Sequence, residues 1–364
     1  MNSLSHLLNK AAADFKINYH HQYNNAKLTH LSFADDLLIF IDGSLSSLQA
    51  IFQVLKEFEN RSGLAVSMQK SSFFASGLTQ AEIDTIQAST SMPIATLPVR
   101  YLSVPLNSSK PSLTNCEGMI QQIKARLSSW SAKLLSFAGR LLLIKTVIAW
   151  INTFWCSSFI LPKSVIKRVN SLCGVFLWKG DIESHHSARV VWEDVVKEKK
   201  NGGLGIKDLL VWNKACILRL IWLLFFQAGL VRVTWFKSTV LDDNLSNFWT
   251  IKPSHKFSWL TNNIIKMRDT MFTWIQLKIG DGRSCRFWTG NWFPMGRVTD
   301  FMLQGRNTRL GIRKDATLAS LCREGQWLIP QARSENQVAV LAFLMSISFT
   351  EEEDTYEWVI DGKS

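Results

Sequence analysis

Short apolar runs with two different periods divide the first 106 residues. In LTHLSFADDLLIFIDG, residues 28–43, two such runs flank Asp35 and Asp36 and end at an Asp-Gly turn signal, a pattern that predicts a hairpin with the acids at its tip. The same letters also allow Asp35 or Asp36 to cap a helix starting at Leu37. Downstream, Leu48, Ile51, Phe52, Leu55 and Phe58 recur at helical spacing, with Ser47 as N-cap and Gly63 as the stop. Leu64, Val66 and Met68 then alternate, predicting a strand that ends near Lys70. Thr79 and Glu82 have capping-box spacing and announce a short helix, and the proline-bracketed LPVRYLSVPL reads as extended. From Asn2 to Leu106 the predicted order is helix, hairpin, helix, strand, helix, strand.

After Leu106 helical periodicity takes over. NCEGMIQQIKARLSSW, LLSFAGRLLLIKTVIAWINTFW and KSVIKRVNSLCGVFLWKG each read as helices. In the last, Val165, Val169, Cys173 and Phe176 share a face, and Lys163, Lys167 and Arg168 lie on others. Two stretches are apolar enough to raise the question of a membrane. LLLIKTVIAWINTFWCSSFILP is interrupted by Lys145, Asn152 and Thr153, and LRLIWLLFFQAGLV is too short to span, so both are expected to be core helices and no membrane partner is expected. NGGLGIKDL, residues 201–209, has neither phosphate-binding nor dinucleotide-binding glycine spacing and reads as a turn.

Composition narrows the function classes. The chain has 364 residues, is 47% hydrophobic and carries a net charge of +12, which suits a polyanionic partner. Its six cysteines are widely separated, with no CxxC pair, so neither a disulfide framework nor a zinc site is expected. The N-terminal segment lacks a signal-peptide pattern, and an intracellular location, nuclear or cytoplasmic, is expected. All 15 tryptophans fall at or after Trp130, which marks a second compositional unit.

Taken in order, FADD, GLAVSMQKSS, RYLSVPL, LSSWSAKLLSFAGRLLLIKTVI, ARVVWEDVVKEKKNGGLGIKDL and GDGRSCRFWTGNWF resemble the C-terminal half of a plant non-LTR (LINE-type) retroelement reverse transcriptase. The resemblance favours the hairpin over the helix cap. It implies an α+β fold with three parts: a partial palm over 1–106, a thumb-like helical region over 107–180, and a Trp-rich region over 181–364 that precedes a zinc-binding segment absent from this chain. Asp35 and Asp36 then correspond to the magnesium-binding acids of nucleotidyl transfer, where hard oxygen ligands are needed. Lys70 takes the place of a lysine that assists pyrophosphate departure. Arg100 and Tyr101 fall in the primer grip, in which Ser103 replaces the family's usual glycine. Lys124, Arg126, Lys133, Arg140 and Lys145, with Lys163, Lys167 and Arg168, are placed to track the backbone of an RNA–DNA hybrid. The implied partners are an RNA template, a DNA primer and, in the intact parent, a deoxynucleoside triphosphate.

One departure bears on catalysis. The family supplies another essential Asp and a glycine-containing template motif well before FADD. Here Asp14 is the sole acidic residue ahead of Asp35. The expectation is an incomplete metal cage, an inactive isolated chain, and an upstream palm and fingers segment supplied elsewhere; the alternative is a nucleic-acid-binding remnant that catalyses nothing.

Overall fold

Helix α1 (Asn2–Ala13) carries Leu4, Leu8, Ala11 and Ala12 on one stripe, and α2 (Leu45–Ser62) carries Leu48, Ile51, Val54 and Phe58. The two stripes pack together with Ile17 to form a small core. The computed structural model describes residues 2–102, 104–129, 134–183, 190–303 and 311–359. Two compact units, Met1–Ile217 and Leu218–Ser364, account for the chain.

Onto the α1–α2 core leans the antiparallel ribbon β1 (His30–Phe33) and β2 (Asp36–Ile39), with His30 opposite Ile39 and Phe33 opposite Asp36. An isolated two-stranded ribbon is marginal in water. This one is held because Leu37, Ile39 and Ile41, at strand period, face the helices. The predicted hairpin is therefore present. The predicted cap of α2 is displaced: Ser44 accepts the Ser47 N–H at 3.3 Å, and Ser47 itself is fully buried. Gly63 ends the helix as expected, with φ +72° and its N–H on the Glu59 carbonyl.

The strand expected over Leu64–Lys70 does not form. Residues 64–67 are irregular, and Met68–Lys70 is a single 3-10 turn. Alternation specifies a strand only where a partner and an apolar surface receive it. Leu64 and Val66 are 64% and 42% exposed, so they have neither. The nearest ladder contact is further on, a lone parallel bridge between Phe73 and Ile94. α3 (Gln80–Thr90) starts from the predicted capping box, Thr79 and Glu82 each bonding the other's backbone. The extended stretch before Leu106 is a second ribbon rather than one strand, β3 (Val99–Tyr101) against β4 (Val104–Leu106). Leu102 turns it with φ +51°. Ser103, which stands where the resembled family usually has glycine, lies outside the described residues.

Val104 anchors this ribbon in the main helical core of the first unit. That core joins α4 (Glu117–Leu127), α5 (Phe137–Cys156, with Ile144–Ile148 in π geometry), α6 (Lys163–Lys179), α7 (Trp192–Val195) and the start of α8 (Leu209–Phe226). Val165, Val169, Cys173 and Phe176 are all buried, as their register predicts. α5 and α8 are long and apolar enough to cross a membrane by length and composition. The expectation that α5 is a core helix holds on one face only. Ile144, Ile148, Ile151 and Trp155 are buried, but Leu142 and Trp150 are 62% and 72% exposed, because a helix packed on one side cannot bury all of an apolar circumference. The Gly-rich segment is a turn, and it requires glycine at 203: a Cβ there would lie 2.1 Å from the Lys197 carbonyl oxygen.

In the second unit α9 (Val231–Val240) and α10 (Trp259–Met271) precede β5 (Ile275–Lys278), which pairs with the distant β8 (Thr355–Trp358). Between them lie α11 (Val298–Leu303), the ribbon β6 (Cys322–Arg323) with β7 (Gln326–Trp327), and α12 (Glu335–Met345). Phe287, Trp288, Trp292 and Phe293 form the centre of its core. Their indoles have carbonyl partners: Trp288 Nε1 donates to Arg313 and Trp292 Nε1 to Phe287, both at 3.1 Å. The glycines of GDGRS are fixed by close approach, since a Cβ on Gly280 or Gly282 would sit 2.3 Å from Glu352 O or the Phe349 ring. Asp354 closes this loop, Oδ1 accepting from Gly280 N and Gly282 N and Oδ2 from Ser284 N and Oγ, at 2.8 to 2.9 Å. Helices with small antiparallel ribbons are the α+β arrangement expected.

Candidate active-site hairpin

Two residues, Ala34 and Asp35, turn the first ribbon, and Ala34 takes φ +51°. A left-handed residue at the first turn position is what a tight hairpin needs to match strand twist. In alanine it costs about 1 kcal/mol. The turn exposes Asp35, and Asp36 follows as the first residue of β2, exposed and opposite Phe33. Phe33 is 63% exposed, so the tip stands clear of the core that holds its base.

The base is fixed by a polar chain as well as by packing. Thr29, 2% exposed, donates its Oγ1 proton to Asn9 Oδ1 at 2.8 Å. With that proton used, His30 Nδ1–H donates to Thr29 Oγ1 at 2.7 Å, which leaves His30 Nε2 to accept from Ser5 Oγ at 2.8 Å. The chain thus ties β1 to α1 through a neutral imidazole. Burial lowers the His30 pKa below its ordinary value, and burial followed by the neighbouring His21 charge lowers that of His20. A histidine depressed in the fold takes up its proton more readily when unfolded. Its contribution is complete above the ordinary histidine range and is lost as pH falls below about 6.5. Thermal stability should therefore decline between pH 7.5 and 5.5 by more in the wild type than in His30→Gln. Equal declines in thermal melts would refute this role for His30.

Burial, and then the charge of Asp36, raises the Tyr101 phenol above its usual pKa. The sequence placed these residues in separate motifs, and nothing in their spacing announced the electrostatic coupling. Arg100 is exposed on the same strand, its guanidinium 3.6 Å from where a Cβ of Gly118 would lie, at the start of α4. Lys70 is exposed at the end of its 3-10 turn, and among the described residues no ion pair joins it to Asp35 or Asp36.

The remaining basic candidates differ in availability. Arg126 is exposed and Lys124 partly so, both in the last turn of α4. Arg140 is largely committed to the fold: Nε donates to Leu135 O at 3.0 Å and Nη1 to Leu177 O at 3.1 Å, over Gly180. Lys145 Nζ lies 3.7 Å from the Cβ position of Gly205, beside the glycine turn. Lys133 falls outside the described residues.

Asp35 and Asp36 offer the hard oxygens that magnesium prefers, and such sites commonly draw one or two carboxylates from the protein. Among the described residues no group of three or more His, Cys, Asp or Glu is gathered to hold a metal. Asp14 is exposed and lies 4.0 Å from Lys16. The chain therefore fits part of a magnesium site. Against known proteins, residues 1–106 match the reverse transcriptase (RNA-dependent DNA polymerase) family. The chain is also 31% identical over 175 residues, 48% of its length, to an Arabidopsis thaliana protein named "Putative ribonuclease H protein". That match spans 28% of the relative's length.

Proposed function

We propose that this chain is the catalytic-hairpin end of the palm and the thumb of a longer RNA-directed DNA polymerase, encoded by a plant retroelement of the non-LTR type and acting inside the cell. One observation carries the reading: within the residues that match the reverse transcriptase family, a two-residue turn presents Asp35 and Asp36 to solvent. Asp35 and Asp36 would hold magnesium, with further ligands from polypeptide that precedes this segment in the parent. When bound, the metal supplies Lewis-acid stabilisation of the displacement at the triphosphate. The chain's own residues do the positioning. β2 fixes Asp36 through Leu37 and Ile39, and β3 carries Arg100 and Tyr101, a cation and a phenol that can bind the primer strand. Arg100 and Arg126, both exposed, and the partly exposed Lys124 are cations available to the template–primer phosphates.

A second reading, a nucleic-acid-binding piece without catalysis, is favoured by the lack of a three-ligand cluster among the described residues. Primer extension on an RNA template separates the two. The chain alone is expected to incorporate no nucleotide, and the chain expressed together with the frame that precedes it in the parent element is expected to incorporate. Incorporation by the chain alone would show its own ligands to be sufficient. None in the longer protein would leave only the binding reading.

A further inference from the structure

On α5, Ala138, Leu142, Thr146, Trp150 and Phe154 follow one another every four residues, and all are exposed. In a regular α-helix such a row drifts by about 40° a step, so its ends would stand about 160° apart. The π geometry of Ile144–Ile148 prevents that. A turn closed i→i+5 takes up one extra residue, about 100°, and brings the two halves of the row back onto one face. Thr146 does not interrupt the stripe, because its hydroxyl donates to the Leu142 carbonyl at 2.8 Å and its methyl is left to face outward. The Trp150 and Phe154 rings stack with centroids 6.4 Å apart and give the stripe an aromatic end.

One flank of this stripe is cationic. The segment from Gly205 to Trp212 runs along α5: Lys145 Nζ lies 3.7 Å and Lys199 Cγ 3.4 Å from the Cβ position of Gly205, and Trp212 Nε1 donates to Thr153 Oγ1 at 2.9 Å. Lys207 Nζ sits 3.6 Å from the centre of the Trp212 ring. Among the described residues none of these three lysines forms an ion pair. Neighbouring acids are engaged already, Asp194 with Lys197 and Glu198 with Lys200 at 2.7 Å, and Asp208 with the Leu210 N–H at 2.8 Å. Nor does the surrounding sequence offset the charge: between Glu117 and Asp181 there are nine Lys or Arg and no Asp or Glu.

Stripe and rim together select the partner. An exposed apolar row rimmed by charge marks an interaction surface. A second copy of this chain would bring like charges face to face, and a polyphosphate would use the rim and leave the apolar row wet. A lipid surface asks for an apolar face broad enough to sink among the headgroups, whereas this stripe is one side chain wide. A ridge of side chains four apart fits the groove of another helix. From Ala138 to Phe154 the ridge is about 24 Å long, the length of a helix of four to five turns. We propose that the α5 stripe is the docking surface for an acidic amphipathic helix of a protein partner. That helix lays its apolar row over Leu142, Trp150 and Phe154 and sets its carboxylates against Lys145, Lys199 and Lys207. The inference does not rest on the polymerase reading.

The test is fluorescence anisotropy of a fluorescein-labelled synthetic peptide of roughly 18 residues, long enough to be helical, with leucines along one stripe and glutamates beside it, titrated with the full chain. Two control peptides share its length, one with lysine for every glutamate and one with the same residues shuffled so that no stripe forms. The chain should bind the acidic amphipathic peptide at least about tenfold more tightly than either control. L142Q/W150Q should weaken that binding at least about tenfold, because a few anchors, aromatic ones above all, carry most of such an interface. K145Q/K199Q/K207Q should weaken it and flatten its dependence on salt. Leu142 and Trp150 are exposed, so their double variant should melt as the wild type does. L328Q/V338Q removes two exposed apolar side chains from the second unit and should leave binding unchanged. The proposal is overturned if the acidic peptide binds no better than its controls, or if L142Q/W150Q binds it as the wild type does. It is equally overturned if that variant instead loses self-association in sedimentation, affinity for an RNA–DNA hybrid, or retention on phosphatidylserine vesicles, which would assign the stripe to a second copy, to nucleic acid or to lipid.

Discussion

Asp35→Asn, placed in a polymerase assembled from this chain and its preceding segment, is expected to cut nucleotide incorporation by about a thousandfold or more. That factor corresponds to about 4 kcal/mol of barrier, the scale of a lost metal carboxylate. The fold should not register the change. Among the described residues the Asp35 carboxylate makes no hydrogen bond or ion pair, it is exposed, and asparagine suits the same tight turn. An exposed substitution of this kind stays within about 0.5 kcal/mol. RNA affinity measured without magnesium should also be unchanged. A loss smaller than tenfold in primer extension, with unaltered melting, would remove Asp35 from the metal site. Asp36→Asn carries its own marker. Because burial first and the Asp36 charge second raise the Tyr101 phenol, neutralising Asp36 should lower the pH at which that phenol ionises.

The largest effect on stability is expected at Asn213. This residue of α8 is 3% exposed, and its amide staples the turn between α5 and α6. Oδ1 accepts from Leu161 N at 2.7 Å, and Nδ2 donates to Phe159 O at 2.7 Å and Cys156 O at 3.4 Å. Alanine would leave the buried Leu161 N–H and the Phe159 carbonyl without partners, each at about 1–3 kcal/mol. The sum is about 3 kcal/mol, which for a unit of this size lowers its midpoint by about 6–12 °C. Its neighbour Trp212, bonded through Nε1 to Thr153 Oγ1 at 2.9 Å, is partly exposed and should matter less. A melting shift below about 3 °C for Asn213→Ala would mean that water replaces the staple.

Asn213 also illustrates what the sequence could not disclose. Its three partners lie more than fifty residues away, and an asparagine in an apolar helix looks like an interruption until they are known. Where the signal was local it was legible. The capping box at Thr79 and Glu82, the stop at Gly63 and the buried register of Val165 to Phe176 each depend on residues within one or two turns. The site followed the same division. The hairpin and its acids were readable from two apolar runs around a turn, whereas the effect of the Asp36 charge on Tyr101 links residues 65 positions apart in separate ribbons. Two errors have a common cause. Ser44 and Ser47 are both sound caps by composition, and burial of Ser47 decides between them; LAVSM alternates, and lack of a partner strand overrules it. Arg140 was expected to face nucleic acid, and two of its donors instead serve the Leu135 and Leu177 carbonyls.

The β5–β8 ribbon sets an order of events during synthesis. β5 has no strand partner until Thr355–Trp358 emerge, and the GDGRS loop has no acceptor for its three amides until Asp354 does. The separation is 70 residues between Ser284 and Asp354, about 4–14 s of translation at ordinary rates. During that interval the α4–α6 core of the first unit can already close, because its partners have all been made. The tryptophans of the second unit wait with their indoles exposed. A nascent chain stalled before residue 354 should be a chaperone client through its C-terminal part alone, and one released beyond Trp358 should not.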